Sequence, residues 1–309
     1  MKQKKLYVLT GFLGSGKTSL LLHLLDHCGD ARVGVIQNEF GKVSIDGMIS
    51  RRDGIEMTEI SRGSIFCSCL KLRFVQALAE LGQKDLDLVI VESSGLADPS
   101  NMEEILGAVR LLAGDCYRFA GAICLIDAVN FPRQLGDVET VDRQLAHCHM
   151  AVINKTDLVD EAGVQAVAAQ VRSINPRCRL ETCENGRVDL SFLDEDLTAL
   201  QWAACEDSLN TVDNKPKTIS LECSDAVSRA DLTAFLRKVL PDTYRIKGFF
   251  RLEEGWFQVD VVEQLIDFAP APEQPLSQLV FLSKIGPQII RTVDHAWKDT
   301  LSVPMKLRN

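Results

Sequence analysis

Residues Lys4–Leu25 read KKLYVLTGFLGSGKTSLLLHLL, three kinds of segment in succession. Leu6–Leu9 is an apolar run of strand length, and SLLLHLL is an apolar stretch that reads as helix. Between them, Gly11 to Thr18 matches G-x-x-x-x-G-K-[ST] at every fixed position. The spacing has a physical logic. Gly11, Gly14 and Gly16 permit turns that other residues resist, so successive N–H groups can face one concavity. A helix starting near Lys17 adds its positive dipole end. Gly14, Ser15, Gly16, Lys17, Thr18 and Ser19 are therefore expected to line a nucleoside triphosphate. Lys17 would reach the β- and γ-phosphates, and the Thr18 hydroxyl would bind Mg²⁺.

Two more segments extend this site. LDLVIVESSGLADPS places the apolar strand 86–91 directly before Glu92. A carboxylate at a buried strand end beside a phosphate loop is where Mg²⁺ is organised, so Lys17 and Glu92 are the expected catalytic pair and Thr18 and Glu92 the Mg²⁺ ligands. Gly95 would let a backbone N–H approach the γ-phosphate, and Ser100 with Glu103 has the spacing of a capping box. MAVINKTDLV then brings Asn154, Lys155 and Asp157 to the end of strand 150–153. An Asp carboxylate can accept two hydrogen bonds from guanine N1–H and the 2-amino group; adenine offers no such donor pair, so an Asp buried against it would lose its partners. Asn154 can tie the loop together and the Lys155 stem can lie over the base. The nucleotide expected is GTP or GDP, and the same residues argue against a kinase.

Apolar strands recur at 6–9, 33–37, 87–91, 121–126 and 150–153 with helical stretches between them. The expected fold is α/β: a P-loop NTPase parallel sheet with helices on both faces. The motifs all fall in loops at the carboxyl ends of strands, where open α/β sheets bind ligands. Residues 1–205 would form this domain and the polar stretch 206–217 a linker. Residues 218–309 would form a smaller α+β domain, with strands at 218–223, 244–252, 255–262, 265–268 and 278–284 and helices at 229–240 and 287–301.

Composition agrees with a globular chain. The 309 residues are 46% hydrophobic and 25% charged, and the net charge of −9 argues against nucleic-acid and anionic-membrane partners. No apolar run approaches a membrane span, and the basic start turns into the glycine loop too soon for a signal peptide, so a cytoplasmic location is expected. Ten scattered cysteines fit free thiols in a reducing compartment.

TGFLGSGKTSLL, QNEFGKVSIDG, ESSGLADP and INKTDL together resemble the CobW-type GTPases, relatives of UreG, HypB and MeaB. The resemblance covers residues 5 to about 205 well and the remainder loosely. It implies slow GTP hydrolysis in the service of metal delivery or corrinoid and metallocofactor insertion. The implied partner is a client metalloprotein or corrinoid protein, with a homodimer as a further expectation. The alternative reading is a scaffold that binds GTP without significant hydrolysis, since Leu96 stands where a catalytic glutamine could follow Gly95.

The family carries G-C-x-C-C between its switch and the Glu92 strand, as a metal site helped by a switch glutamate. This chain departs from it. RGSIFCSCLKLRF retains Cys67 and Cys69, and at least one thiolate of the pattern is lost. Lys42 stands where the family tends to place an acid. In an extended loop the two thiols share one side, and a following helix N-terminus favours thiolate. With Glu39 they would make an open two-sulfur, one-oxygen site for Zn²⁺ or Co²⁺. The other reading is a pair of small buried side chains. His147 and His149 flank Cys148 in AHCHM and read as part-buried core residues rather than ligands.

Overall fold

The computed structural model describes residues 3–39, 54–61, 71–135, 139–199, 217–262 and 264–308. They divide into two compact units, 3–199 and 217–308. The first unit is built on seven strands: β1 (Lys4–Thr10), β2 (Val33–Glu39), β3 (Ile55–Ser61), β4 (Leu88–Glu92), β5 (Tyr117–Asp127), β6 (Met150–Asn154) and β7 (Arg179–Thr182). All pair in parallel, in the order β3-β2-β4-β1-β5-β6-β7. Among the described residues six α-helices accompany them: α1 (Lys17–His27), α2 (Lys71–Gln83), α3 (Met102–Ala113), α4 (Phe131–Gln134), α5 (Glu139–Ala146) and α6 (Glu161–Ile174).

The alternation of β1 shows why its sequence is continuously apolar. Leu6 and Val8 pack with Phe74 and Leu78 of α2 and Ile105 and Val109 of α3. Tyr7 and Leu9 face the other way, onto Leu20, Leu21 and Leu24 of α1. Both faces are thus dry, as a parallel sheet requires. Each of those three leucines is at most 1% exposed, and full burial of such a side chain contributes about 1.5–3 kcal/mol. This is the α/β sheet that the sequence implies. β3 and β7 come in addition to the five anticipated strands. Both lie at edges of the sheet, and IEMTEIS and RLET carry the polar residues that edge positions tolerate.

One local expectation is overturned. Ser100 and Glu103 do not form a capping box. Pro99 opens a 3₁₀ turn over Pro99–Asn101, and Asp98 caps it by accepting from the Ser100 N–H at 3.0 Å. α3 then starts at Met102 without a side-chain cap. The Ser100 hydroxyl is instead engaged by Arg143, 3.1 Å away.

The second unit holds β8 (Thr218–Cys223), β9 (Thr243–Leu252), β10 (Gly255–Val262), β11 (Leu265–Pro270), β12 (Ser277–Ser283) and β13 (Lys306–Arg308) in one antiparallel sheet, ordered β11-β10-β9-β12-β8-β13. Helices α7 (Arg229–Val239) and α8 (Ile289–Thr300) cover one face. Phe235 and Trp297 meet edge-on at 5.0 Å over alternate strand residues such as Ile246, Phe250, Val259 and Phe281. Of the linker 206–217, only Lys217 lies among the described residues.

Candidate nucleotide site

The loop from Gly11 to Gly16 runs from β1 to α1 with left-handed glycines where the sequence has them. Gly11, Gly14 and Gly16 have φ of 130°, 76° and 102°. Gly16 is the N-cap of α1, and its carbonyl accepts from the Leu20 N–H at 3.0 Å. Lys17 is buried and turns its ammonium back onto the loop, donating to the carbonyls of Gly11 at 2.7 Å and Phe12 at 3.0 Å. Gly14 and Ser19 are exposed at the mouth of the loop.

Thr18 and Glu92 come together. The Thr18 hydroxyl donates to Glu92 Oε1 at 2.6 Å, and the Gln37 amide donates to Oε2 at 3.0 Å. Glu92 is only 5% exposed. The hydroxyl and carboxylate oxygens thus meet at one point beside the loop, a hard donor set of the kind Mg²⁺ takes. Among the described residues, the buried side-chain atoms without a hydrogen-bond partner include Ser15 Oγ, Gln37 Oε1 and Ser94 Oγ. Buried polar atoms are ordinarily satisfied, so orphans gathered around a phosphate loop fit a polar ligand. Gly95 lies against the same loop: a Cβ there would stand 2.7 Å from the Leu13 backbone nitrogen.

The segment after Glu92 is held by α5. Gln144 Nε2 donates to the carbonyls of Gly95 at 3.2 Å and Ala97 at 2.8 Å. Arg143 Nε donates to Asp98 at 2.8 Å, and Asp98 is 1% exposed. None of this was legible in the motifs, because α5 is remote in sequence from the loop it grips.

On the other side of β1, Asn154 binds the phosphate loop to the rest of the sheet. Its Nδ2 donates to the Ser15 carbonyl at 2.9 Å, and its Oδ1 accepts from the Gly186 N–H at 3.0 Å and the Cys183 thiol at 3.3 Å. Burial pushes that thiol up to about 11, so it stays protonated and serves as donor. Lys155 adopts a left-handed backbone, φ 66°, and ion-pairs with Asp127 at 2.6 Å. Asp157 follows in a 3₁₀ turn over Thr156–Leu158, with its side chain exposed.

The remaining expectations fare differently. Glu39 ends β2, but its side chain and all of Cys67 and Cys69 lie outside the described residues. Among the described residues, no three His, Cys, Asp or Glu side chains are grouped to hold a metal ion. His147 and His149 are buried. The Ala122 N–H donates to His149 Nδ1 at 3.0 Å, and burial lowers the imidazole to about 4, which keeps it neutral. No helix among the described residues is long and apolar enough to cross a membrane.

Set beside known proteins, residues 5–181 match the family model described as CobW/HypB/UreG, nucleotide-binding domain. The chain belongs to that family. Residues 217–293 match the model of the cobalamin synthesis protein CobW C-terminal domain. Zinc chaperone YjiA of Escherichia coli K12 is 31% identical over 194 residues, 60% of this chain and 59% of YjiA. Zinc chaperone CobW of a Sinorhizobium species is 30% identical over 215 residues, 60% of each chain. The chain thus spans about three fifths of those two relatives. Zinc-regulated GTPase metalloprotein activator 1 of Schizosaccharomyces pombe aligns over 92% of this chain and 80% of its own length, at 26% identity. Among solved structures, Zn(II)-bound YjiA GTPase from E. coli superposes with a TM-score of 0.48 at 22% identity, covering 97% of this chain and 99% of that one. CobW/HypB/UreG members and this chain thus share a P-loop nucleotide-binding domain, and relatives within the family are named GTPases.

Proposed function

We propose that this chain is a GTP-binding, slowly GTP-hydrolysing switch that serves metal delivery to a client metalloprotein. The observation that carries this reading is the gathering of three loops at the carboxyl ends of β1, β4 and β6 in one parallel sheet: the Gly11–Thr18 loop, the Glu92 loop and the Asn154–Asp157 loop. In this reading Lys17 and the loop amides take the phosphates. Thr18 and Glu92 would hold Mg²⁺, which when bound neutralises phosphate charge. Asn154 ties the base loop down and Asp157 reads the guanine. Without a catalytic glutamine beyond Gly95, unaided turnover is of order 10⁻⁴ to 10⁻² s⁻¹. Zinc is favoured as cargo over cobalt or a corrinoid, because the relatives are named zinc chaperones and a zinc-regulated activator. Cys67, Cys69 and Glu39 are the proposed cargo ligands.

Calorimetry with GTP, ATP and their diphosphates tests the nucleotide assignment. GTP and GDP are expected to bind with Mg²⁺ and the adenine forms at least about a hundredfold more weakly, because adenine offers no donor pair to the Asp157 carboxylate that the bound base would cover. Equal affinities would refute it. Zinc titration of the protein with Cys67→Ser and Cys69→Ser together tests the cargo site. Unchanged zinc affinity would remove it and leave the GTP reading standing.

A further inference from the structure

Asp127 closes β5, in parallel register with Asn154 on β6. It is 3% exposed, yet four donors meet its carboxylate. Oδ1 accepts from the backbone N–H groups of Val129 at 3.0 Å and Asn130 at 3.3 Å. Oδ2 accepts from Asn130 Nδ2 at 2.9 Å and from Lys155 Nζ at 2.6 Å. The two oxygens have separate tasks. Oδ1 closes the turn that leads into α4, while Oδ2 reaches across to the next strand and takes hold of a lysine.

Lys155 needs that hold. Its left-handed backbone is strained for a residue with a side chain. Its long stem loses rotamer freedom when fixed. A buried carboxylate at charge-assisted distance offsets both, and the carboxylate needs the cation equally, since a buried charge without a partner is costly. The lysine is therefore pinned at both ends, by its backbone at the end of β6 and by its ammonium on Asp127. Only the methylene stem is left between them to present an apolar surface.

We propose that Asp127 is a positioning residue for nucleotide recognition, which stretches the Lys155 stem into a fixed wall against the base. The inference rests on the reading of Asn154–Asp157 as the guanine loop. With both oxygens occupied, Asp127 acts through Lys155 and not on the nucleotide directly.

The test is a double-mutant cycle read by the affinity for a fluorescent GDP analogue, using D127N, K155M and the pair. D127N keeps an acceptor for the turn amides and replaces Oδ2 by an NH₂ group facing the ammonium. Each single variant is expected to weaken binding about tenfold, in the range of coupling between contacting residues. The double variant should bind no more weakly than K155M, within about twofold, because the route through Lys155 is already gone. Thermal midpoints are measured for all forms, since a purely structural Asp127 would lower stability without this coupling. The proposal is overturned if D127N leaves affinity unchanged, or weakens K155M as much as it weakens the wild type. Wild-type protein that ignores GDP would instead bring down the guanine-loop reading, and this inference with it. Should D127N not accumulate folded, D127S enters the same cycle, because its hydroxyl can accept from a turn amide and offers the ammonium no charge. The same two outcomes then decide.

Discussion

Asn154→Ala separates a residue that builds the site from one that only touches the ligand. Asn154 is 2% exposed and bridges the Ser15 carbonyl and the Gly186 amide. Alanine strands both of these buried backbone groups, at about 1–3 kcal/mol each. With partial relaxation near the loop surface, a loss of roughly 3 kcal/mol is expected. For a unit of this size each kcal/mol shifts the midpoint by about 2–4 °C, so the fall is about 6–12 °C. The assay is thermal unfolding of nucleotide-free protein followed by circular dichroism. GDP affinity should also fall, because the phosphate loop loses its tie to β6. A midpoint within about 2 °C of the wild type, together with lost affinity, would refute the reasoning. It would show Asn154 acting on the ligand alone.

Three further outcomes are expected. His149 is held near 4 in the fold against 6.5 unfolded, so the unfolded chain binds more protons between those values and stability rises with pH across that window. The full effect is about 3 kcal/mol, and denaturation midpoints at pH 4.5 and 7 should converge in His149→Asn, whose amide oxygen can accept from Ala122. Gly95→Ala puts a methyl against the Leu13 nitrogen, which cannot give way. An overpacking cost of about 1–3 kcal/mol should appear as weaker GTP binding or a lower thermal midpoint, and full retention of both would contradict the close approach. Arg143→Met leaves the Asp98 carboxylate buried without its guanidinium, so the urea midpoint should drop by the equivalent of about 3 kcal/mol. No change would show that the pair contributes nothing.

Much of the sheet was readable because its strands are buried on both faces. An apolar run with no polar interruption, as in LVIV before Glu92, admits few other placements. The phosphate loop was readable because its glycines answer to backbone geometry. Edge strands β3 and β7 escaped notice since an edge relaxes the demand for apolar residues. The capping box failed because two stronger local effects competed for its members: Pro99 fixed a tight turn and Arg143 took the Ser100 hydroxyl. Asp127 carried a usable signal. GAICLID ends in an acid at a strand end, as DLVIVE does, and the same logic that singled out Glu92 applies to it. Gln37 likewise interrupts the apolar VGVI stretch of β2. Arg143, Gln144 and Gly186 gave no such sign, since their partners lie between 32 and 49 residues away along the chain.

The position of β1 at the middle of its sheet has a consequence for how such a protein can change over time. β2 and β4, with Gln37 and Glu92, lie to one side of it; β5, β6 and β7, with Asp127, Asn154 and Cys183, lie to the other. Under the proposed reading, the half that senses the terminal phosphate and the half that recognises the purine meet at the central loop and where α5 grips the segment after Glu92. Mutations that retune cargo or timing can accumulate on one flank while fidelity for the nucleotide is preserved on the other. A lineage could then acquire new clients without first surrendering its energy source.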